Sequence, residues 1–141
     1  MAEGISLRSA ALEATDDGYQ LDATFEIQLS PAVLEALNRG LPLYFISEFE
    51  LTRQRWYWFD EVVVRRELQY KLFYNALTRQ YRLASGALYQ NFDSLEEAML
   101  VLSRIRGRQV AEKDVLTKGE EYTAGVRLRL DVSQLPKPFQ V

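Results

Sequence analysis

A chain of 141 residues with 48% hydrophobic residues has the length of one domain and enough apolar material to bury a core without staples. It contains no cysteine and no histidine, which excludes disulfide frameworks, thiol chemistry, Cys- or His-based metal sites and the usual general base of enzymes. A net charge of −3 argues against a long-range field that would draw nucleic acid.

The charge is unevenly spread, with nine acids and two bases in residues 1–50, six acids and ten bases in residues 51–110, and five of each thereafter. Two readings fit the middle segment. Its elements expose whatever charge suits solubility, or Arg53, Arg55, Arg65, Arg66, Arg79 and Arg82 form a basic face. No apolar run has the length of a membrane span, and residues 1–15 lack the basic-then-apolar layout of a signal peptide. Both ends have a trimmed look, so residues 1–141 are expected to be a single domain that reaches a membrane only through a segment outside them.

Along the chain, period-two alternation dominates. Ile5, Leu7 and Ala11 make a weak first strand, and Asp16-Asp17-Gly18 turns it into a second. There Tyr19, Leu21, Ala23, Phe25, Ile27 and Leu29 alternate with polar residues, as in a half-buried strand. Ser30 can cap a helix with Pro31 at its first position and Val33, Leu34 and Leu37 on one face, stopped by Gly40.

Leu43, Phe45, Phe49 and Leu51 then share a strand face, with Glu48 and Glu50 opposite. Strict alternation would next send Arg53 and Arg55 into the core. Two unpaired buried guanidinium groups are prohibitive, so the strand is expected to end, bulge or change face between Leu51 and Trp56. Beyond the break, Trp56 and Trp58 share one side, Tyr57 and Phe59 the other. All four fit a core covered on two faces; one exposed pair beside arginines fits a partner site, since tryptophan and arginine are enriched at interface hot spots.

Val62, Val64, Leu68, Tyr70, Leu72 and Tyr74 share a face of the next strand, opposite Arg65, Glu67, Gln69 and Lys71. Closely spaced turns at residues 75–78 and at Ser85-Gly86 predict two shorter strands over 79–84 and 87–92 in an antiparallel meander. Ser94 with Glu97 forms a capping box for a second helix. Leu95, Ala98, Met99, Leu102 and Ile105 supply its apolar stripe, and Gly107 its stop after Arg104 and Arg106. A last strand carries Tyr122, Ala124, Val126, Leu128, Leu130 and Val132 on one face. The expected fold is mainly β: an antiparallel β-sandwich-like domain of about eight strands, with two short helices covering openings or edges.

Catalytic equipment is sparse. Glu48 and Glu50 on one strand face, with Asp60 and Glu61 after the tryptophans, are the minimum a glycosidase needs, yet alternating glutamates on a solvent face are ordinary. No glycine-rich phosphate loop and no convergent ligand cluster is present, so no catalytic residue, cofactor or metal is assigned. The expected binding patch is Arg53, Arg55, Trp56, Tyr57, Trp58, Arg79 and Arg82. Leu51-Thr-Arg-Gln-Arg-Trp56 is echoed by Leu77-Thr-Arg-Gln-Tyr-Arg82; the echo is either a coincidence or places Arg53 and Arg79 in equivalent turns flanking the long fourth strand.

Four segments carry a resemblance: Phe49-Glu-Leu-Thr-Arg-Gln-Arg-Trp-Tyr-Trp-Phe-Asp-Glu61, Leu77-Thr-Arg-Gln-Tyr-Arg82, Leu102-Ser-Arg-Ile-Arg-Gly107 and the run from Val126 through Leu135-Pro-Lys-Pro-Phe-Gln140. They resemble DUF4390, a proteobacterial domain of unknown function. The resemblance implies an N-terminal export or anchor segment preceding the domain and a gene placed beside a membrane sensor histidine kinase. It therefore implies a periplasmic or envelope location and a role linked to signalling, with no established catalytic residue to carry over. Two functions follow as expectations: an envelope interaction module that binds a protein partner such as a sensor kinase, or a domain that binds a glycan or acidic ligand on a Trp/Arg platform.

Overall fold

Alternation becomes a two-layer core. The computed structural model describes residues 4–54 and 60–139. In chain order the elements are β1 (Gly4–Thr15), β2 (Gly18–Gln28), α1 (Pro31–Asn38), β3 (Leu43–Arg53), β4 (Glu61–Asn75), β5 (Gln80–Ser85), β6 (Leu88–Phe92), α2 (Leu95–Leu102), β7 (Arg104–Glu112) and β8 (Tyr122–Leu130). Every pairing is antiparallel, in a three-stranded sheet β1-β2-β7 and a five-stranded sheet β6-β5-β4-β3-β8. Leu21, Ala23 and Phe25 from β2 meet Leu43, Phe45, Phe49 and Leu51 from β3, all buried, to form the centre of the sandwich.

The small sheet does not reach the far side of the large one, and the helices close that gap. Ser30 accepts from the Val33 N–H and Pro31 opens α1, whose buried Val33 and Leu37 face the core. The Tyr81 hydroxyl of β5 donates to Asn38 at its end. Burial, and then the neighbouring Tyr74, raise the Tyr81 hydroxyl above its ordinary range. α2 covers β5 and β6, with Ala98 and Leu102 buried, and Ser94 caps it by accepting from the Glu97 N–H.

Four expectations need correction. In β1 the register shifts between Leu7 and Ser9, so Ile5 and Leu12 pack on the core while Leu7 and Ala11 are exposed. A bulge that inserts one residue reverses the phase of everything after it. The second helix ends at Leu102 with Ser103 as its cap, and residues 104–112 form β7. Ile105 is buried there as a strand residue, paired to Ala23, and Gly107 (φ +60°) makes a bulge whose N–H donates to Asp22. A left-handed glycine serves a bulge as well as a helix stop, and β2 supplied a partner for the strand. Val62 stands 47% exposed because the extra residue Val63, between the pairs Leu51–Val64 and Thr52–Val62, turns Val62 to the outer face; Leu68, opposite the buried Ser47, stays in the inner phase but is 36% exposed. Val132 lies exposed in a 3-10 turn rather than continuing β8.

The β1–β2 turn leaves no tolerance at Gly18. Its φ is +149°, and an added Cβ would lie 2.2 Å from the Ala111 carbonyl oxygen of β7. That close approach lets β7 join the sheet beside the hairpin.

Candidate functional site

Among the described residues no element covers the outer face of the five-stranded sheet, so whatever its register assembles there points outward. Inward phasing of Leu43, Phe45, Ser47, Phe49 and Leu51 sends Tyr44, Ile46, Glu48 and Glu50 outward. Pairing then decides their neighbours: Tyr44 faces Lys71, Phe73 faces Arg82, and Arg82 faces Asn91.

On the β4–β6 side this register produces a ladder of alternating rings and cations. The Lys71 Nζ lies 6.0 Å from the Tyr44 ring centroid and 5.0 Å from that of Phe73. The Arg82 guanidinium lies 5.9 Å from Phe73 and 4.1 Å from Tyr89, and its Nε donates to the Asn91 side-chain oxygen at 3.0 Å. Neither cation has a carboxylate partner among the described residues. Tyr89 is 57% exposed on β6, an edge strand. Each such cation–π contact is worth on the order of 0.5–1 kcal/mol, which favours these rotamers without neutralising the charges.

On the β3–β8 side of the same face the charges are consumed locally. Glu50 accepts from Arg65 Nη2 at 2.6 Å, and Glu48 accepts from Arg127 at 2.9 Å and Arg129 at 3.3 Å. Burial alone would raise the Glu48 carboxyl, but the Arg127 hydrogen bond and the charges of Arg127 and Arg129 outweigh it and hold it below its usual range. Gly125 leaves a shallow depression there of about 420 Å³, lined by Glu48, Glu50, Arg65, Glu67 and Arg127. A glycosidase needs one carboxyl raised and protonated. Glu48 is shifted the opposite way, Glu50 and Glu61 are paired with arginines, and Asp60 is exposed.

Of the residues expected to form one patch three are described, and Arg53 lies apart from Arg79 and Arg82. Arg55, Trp56, Tyr57 and Trp58 lie outside the described residues. The register of β3 against β4 shifts between Leu51 and Thr52, which brings Arg53 opposite Glu61 and into a 2.7 Å ion pair. The extra residue is Val63 of β4, whereas β3 runs unshifted against β8 and ends at Arg53, so the expected break takes the form of a strand end, and the shift in β4 provides a carboxylate for the first of the two arginines. Arg79 sits in the β4–β5 turn with φ +57°, after the Asn75 side chain accepts from the Leu77 N–H. Arg53 and Arg79 are therefore not in equivalent turns. They mark opposite ends of a 15-residue strand, roughly 45 Å apart. Of the three described members of the expected patch, Arg82 joins the ring–cation ladder and Arg53 and Arg79 do not.

Sequence reasoning missed Tyr44, Lys71, Phe73 and Tyr89. One signal was available: Phe73 continues the polar phase Arg65, Glu67, Gln69, Lys71, and an aromatic in the polar phase of a strand is solvent-facing by construction. Inside the sandwich, β7 contributes Arg108, which donates to Ser47 at 3.0 Å and to the Tyr70 hydroxyl. Ser47 is buried on the core face of β3, so this hydrogen bond satisfies it and ties β7 to the larger sheet.

The family model for DUF4390, a domain of unknown function, matches residues 2–141. The chain belongs to the DUF4390 family. No curated protein and no solved structure matches it.

Proposed function

We propose that this DUF4390 domain is a non-catalytic interaction module of the cell envelope, and that its ring–cation ladder receives an acidic surface of a protein partner. The observation that carries the reading is the pair of cations, Lys71 and Arg82, set beside the half-buried rings of Tyr44 and Phe73 and the exposed ring of Tyr89, with no carboxylate partner among the described residues. Aromatic and arginine side chains fixed in advance lose little entropy on docking, which is what makes such residues hot spots. The sensor-kinase setting implied by the family resemblance makes the outer domain of a membrane sensor kinase the partner to try first.

Glycan binding is the second reading; it turns on the faces of Trp56 and Trp58, which lie outside the described residues. The test is titration of the purified outer domain of the neighbouring sensor kinase with the wild-type domain, Arg82→Glu and Lys71→Glu. Saturable binding lost in both variants supports the reading; binding of equal strength to all three proteins contradicts it.

A further inference from the structure

The inner side of the same sheet, where β7 meets β4, holds a cation that no acid neutralises. Arg108 of β7 enters there half-buried, donating from Nη1 to the Ser47 hydroxyl at 3.0 Å and from Nη2 to the Tyr70 hydroxyl. Both partners are neutral, and no carboxylate pairs with this guanidinium among the described residues. The acids of the surrounding strands are engaged elsewhere or point away. Glu48 and Glu50 hold arginines on the outer face, and Glu67, opposite Glu48, shares that face. Asp22, between the buried Leu21 and Ala23, turns outward and accepts from the Gly107 N–H, while Glu112 is exposed at the far end of β7.

The protons show what is missing. A hydroxyl has one proton to give, and the oxygens of Ser47 and Tyr70 already accept from Arg108, so their own protons point elsewhere. Neither proton, nor the Arg108 Nε–H, has an acceptor among the described residues. Ser47 is only 3% exposed, so bulk water does not serve it. In Arg53 and Arg65, Nε and Nη2 together grip one carboxylate oxygen. In Arg108 the Nη2 is taken by Tyr70, and Nε is left over. Donors thus surround a single positive charge, and the acceptor is absent.

The sandwich is open beside this cluster. Leu68, next to Tyr70 in the inner phase of β4, is exposed. Arg66, opposite the buried Phe49 in that phase, is exposed too, with only the Arg65 carbonyl as its partner. Arg66 therefore adds a positive charge at the entrance.

We propose that this opening binds a small carboxylate, held by Arg108 Nε and the hydroxyls of Ser47 and Tyr70. One negative charge matches the one guanidinium between the sheets, whereas a doubly charged phosphate would leave a charge uncompensated there. A water molecule could take the protons but would leave the guanidinium without a counter-charge.

The test follows the side-chain Nε–H resonance of Arg108 in the whole nitrogen-labelled domain during titration with sodium acetate. A saturable shift is expected, with half-saturation at roughly 1–10 mM, and sodium chloride at equal ionic strength should not reproduce it. Tyr70→Phe, which keeps the ring, and Ser47→Ala should each weaken binding about tenfold. The rise in melting temperature that acetate gives the wild type should vanish in Arg108→Gln. The site is overturned by the absence of any shift up to roughly 0.1 M acetate, by an equal shift with chloride, or by unchanged affinity in both hydroxyl variants. Tighter binding of inorganic phosphate than of acetate would overturn the ligand class.

Discussion

The two halves of one sheet face use arginine in opposite ways. On the β3–β8 half, Arg65, Arg127 and Arg129 meet carboxylates one strand away, and the charges cancel where they stand. On the β4–β6 half, Arg82 and Lys71 meet rings instead, and their charge remains available. Both halves are exposed and both are geometrically ordered. What separates them is what remains for a partner to neutralise. A paired surface offers an incoming acid only an exchange of ion pairs, which is worth little in water. A ring-backed cation offers a new one.

The largest effect should appear in partner binding. Arg82→Glu is expected to weaken it on the order of thirtyfold, the scale of a hot-spot loss near 2 kcal/mol. Arg65→Gln, on the paired half, should leave affinity within about twofold. Equal losses from both substitutions would erase the distinction between the halves.

Stability should show the reverse order. Glu48→Gln leaves Arg127 and Arg129 facing each other without their shared carboxylate, and should cost about 1 kcal/mol in urea unfolding, the upper end for a partly exposed pair. The pH dependence follows from the same residue. Its carboxyl is lowered in the folded state from an ordinary value of 4.5, so its contribution is present above that value. It is lost as pH falls through the lower folded value. Unfolding measured at a series of acidic pH values should therefore show a steeper loss for the wild type than for Glu48→Gln.

Arg79 supplies the smallest and most discriminating change. It is a non-glycine residue at φ +57°, so Arg79→Gly should stabilise the domain by about 0.5–1 kcal/mol. Affinity for the partner should stay within about twofold, because Arg79 lies in the turn and outside the ladder. A marked loss of binding would extend the site into the β4–β5 turn.

Where local chemistry decides structure, the sequence was readable. The alternation from Tyr19 to Leu29 predicted β2, Ser30-Pro31 predicted the start of α1, and Ser94 predicted that of α2. Where a distant partner decides, it was not. Arg104-Ile-Arg-Gly107 has the spacing of a helix end, and only β2, some eighty residues earlier, makes it a strand. The ladder is a sharper case. Arg53 and Trp56 look like one site because they are adjacent in sequence, whereas Tyr44, Phe73, Arg82 and Tyr89 come together through the pairing of four strands. Residue adjacency cannot convey a register set by turn lengths and by the shift at Leu51 and Thr52.

The most direct measurement is site-specific photo-crosslinking in native membranes, with the probe placed at residue 89 on the ladder half or at residue 123 on the paired half. The ladder account predicts a discrete adduct from position 89 that disappears with Arg82→Glu, and none from position 123. The same adduct from both positions, or one from position 89 that survives both Arg82→Glu and Lys71→Glu, would contradict it.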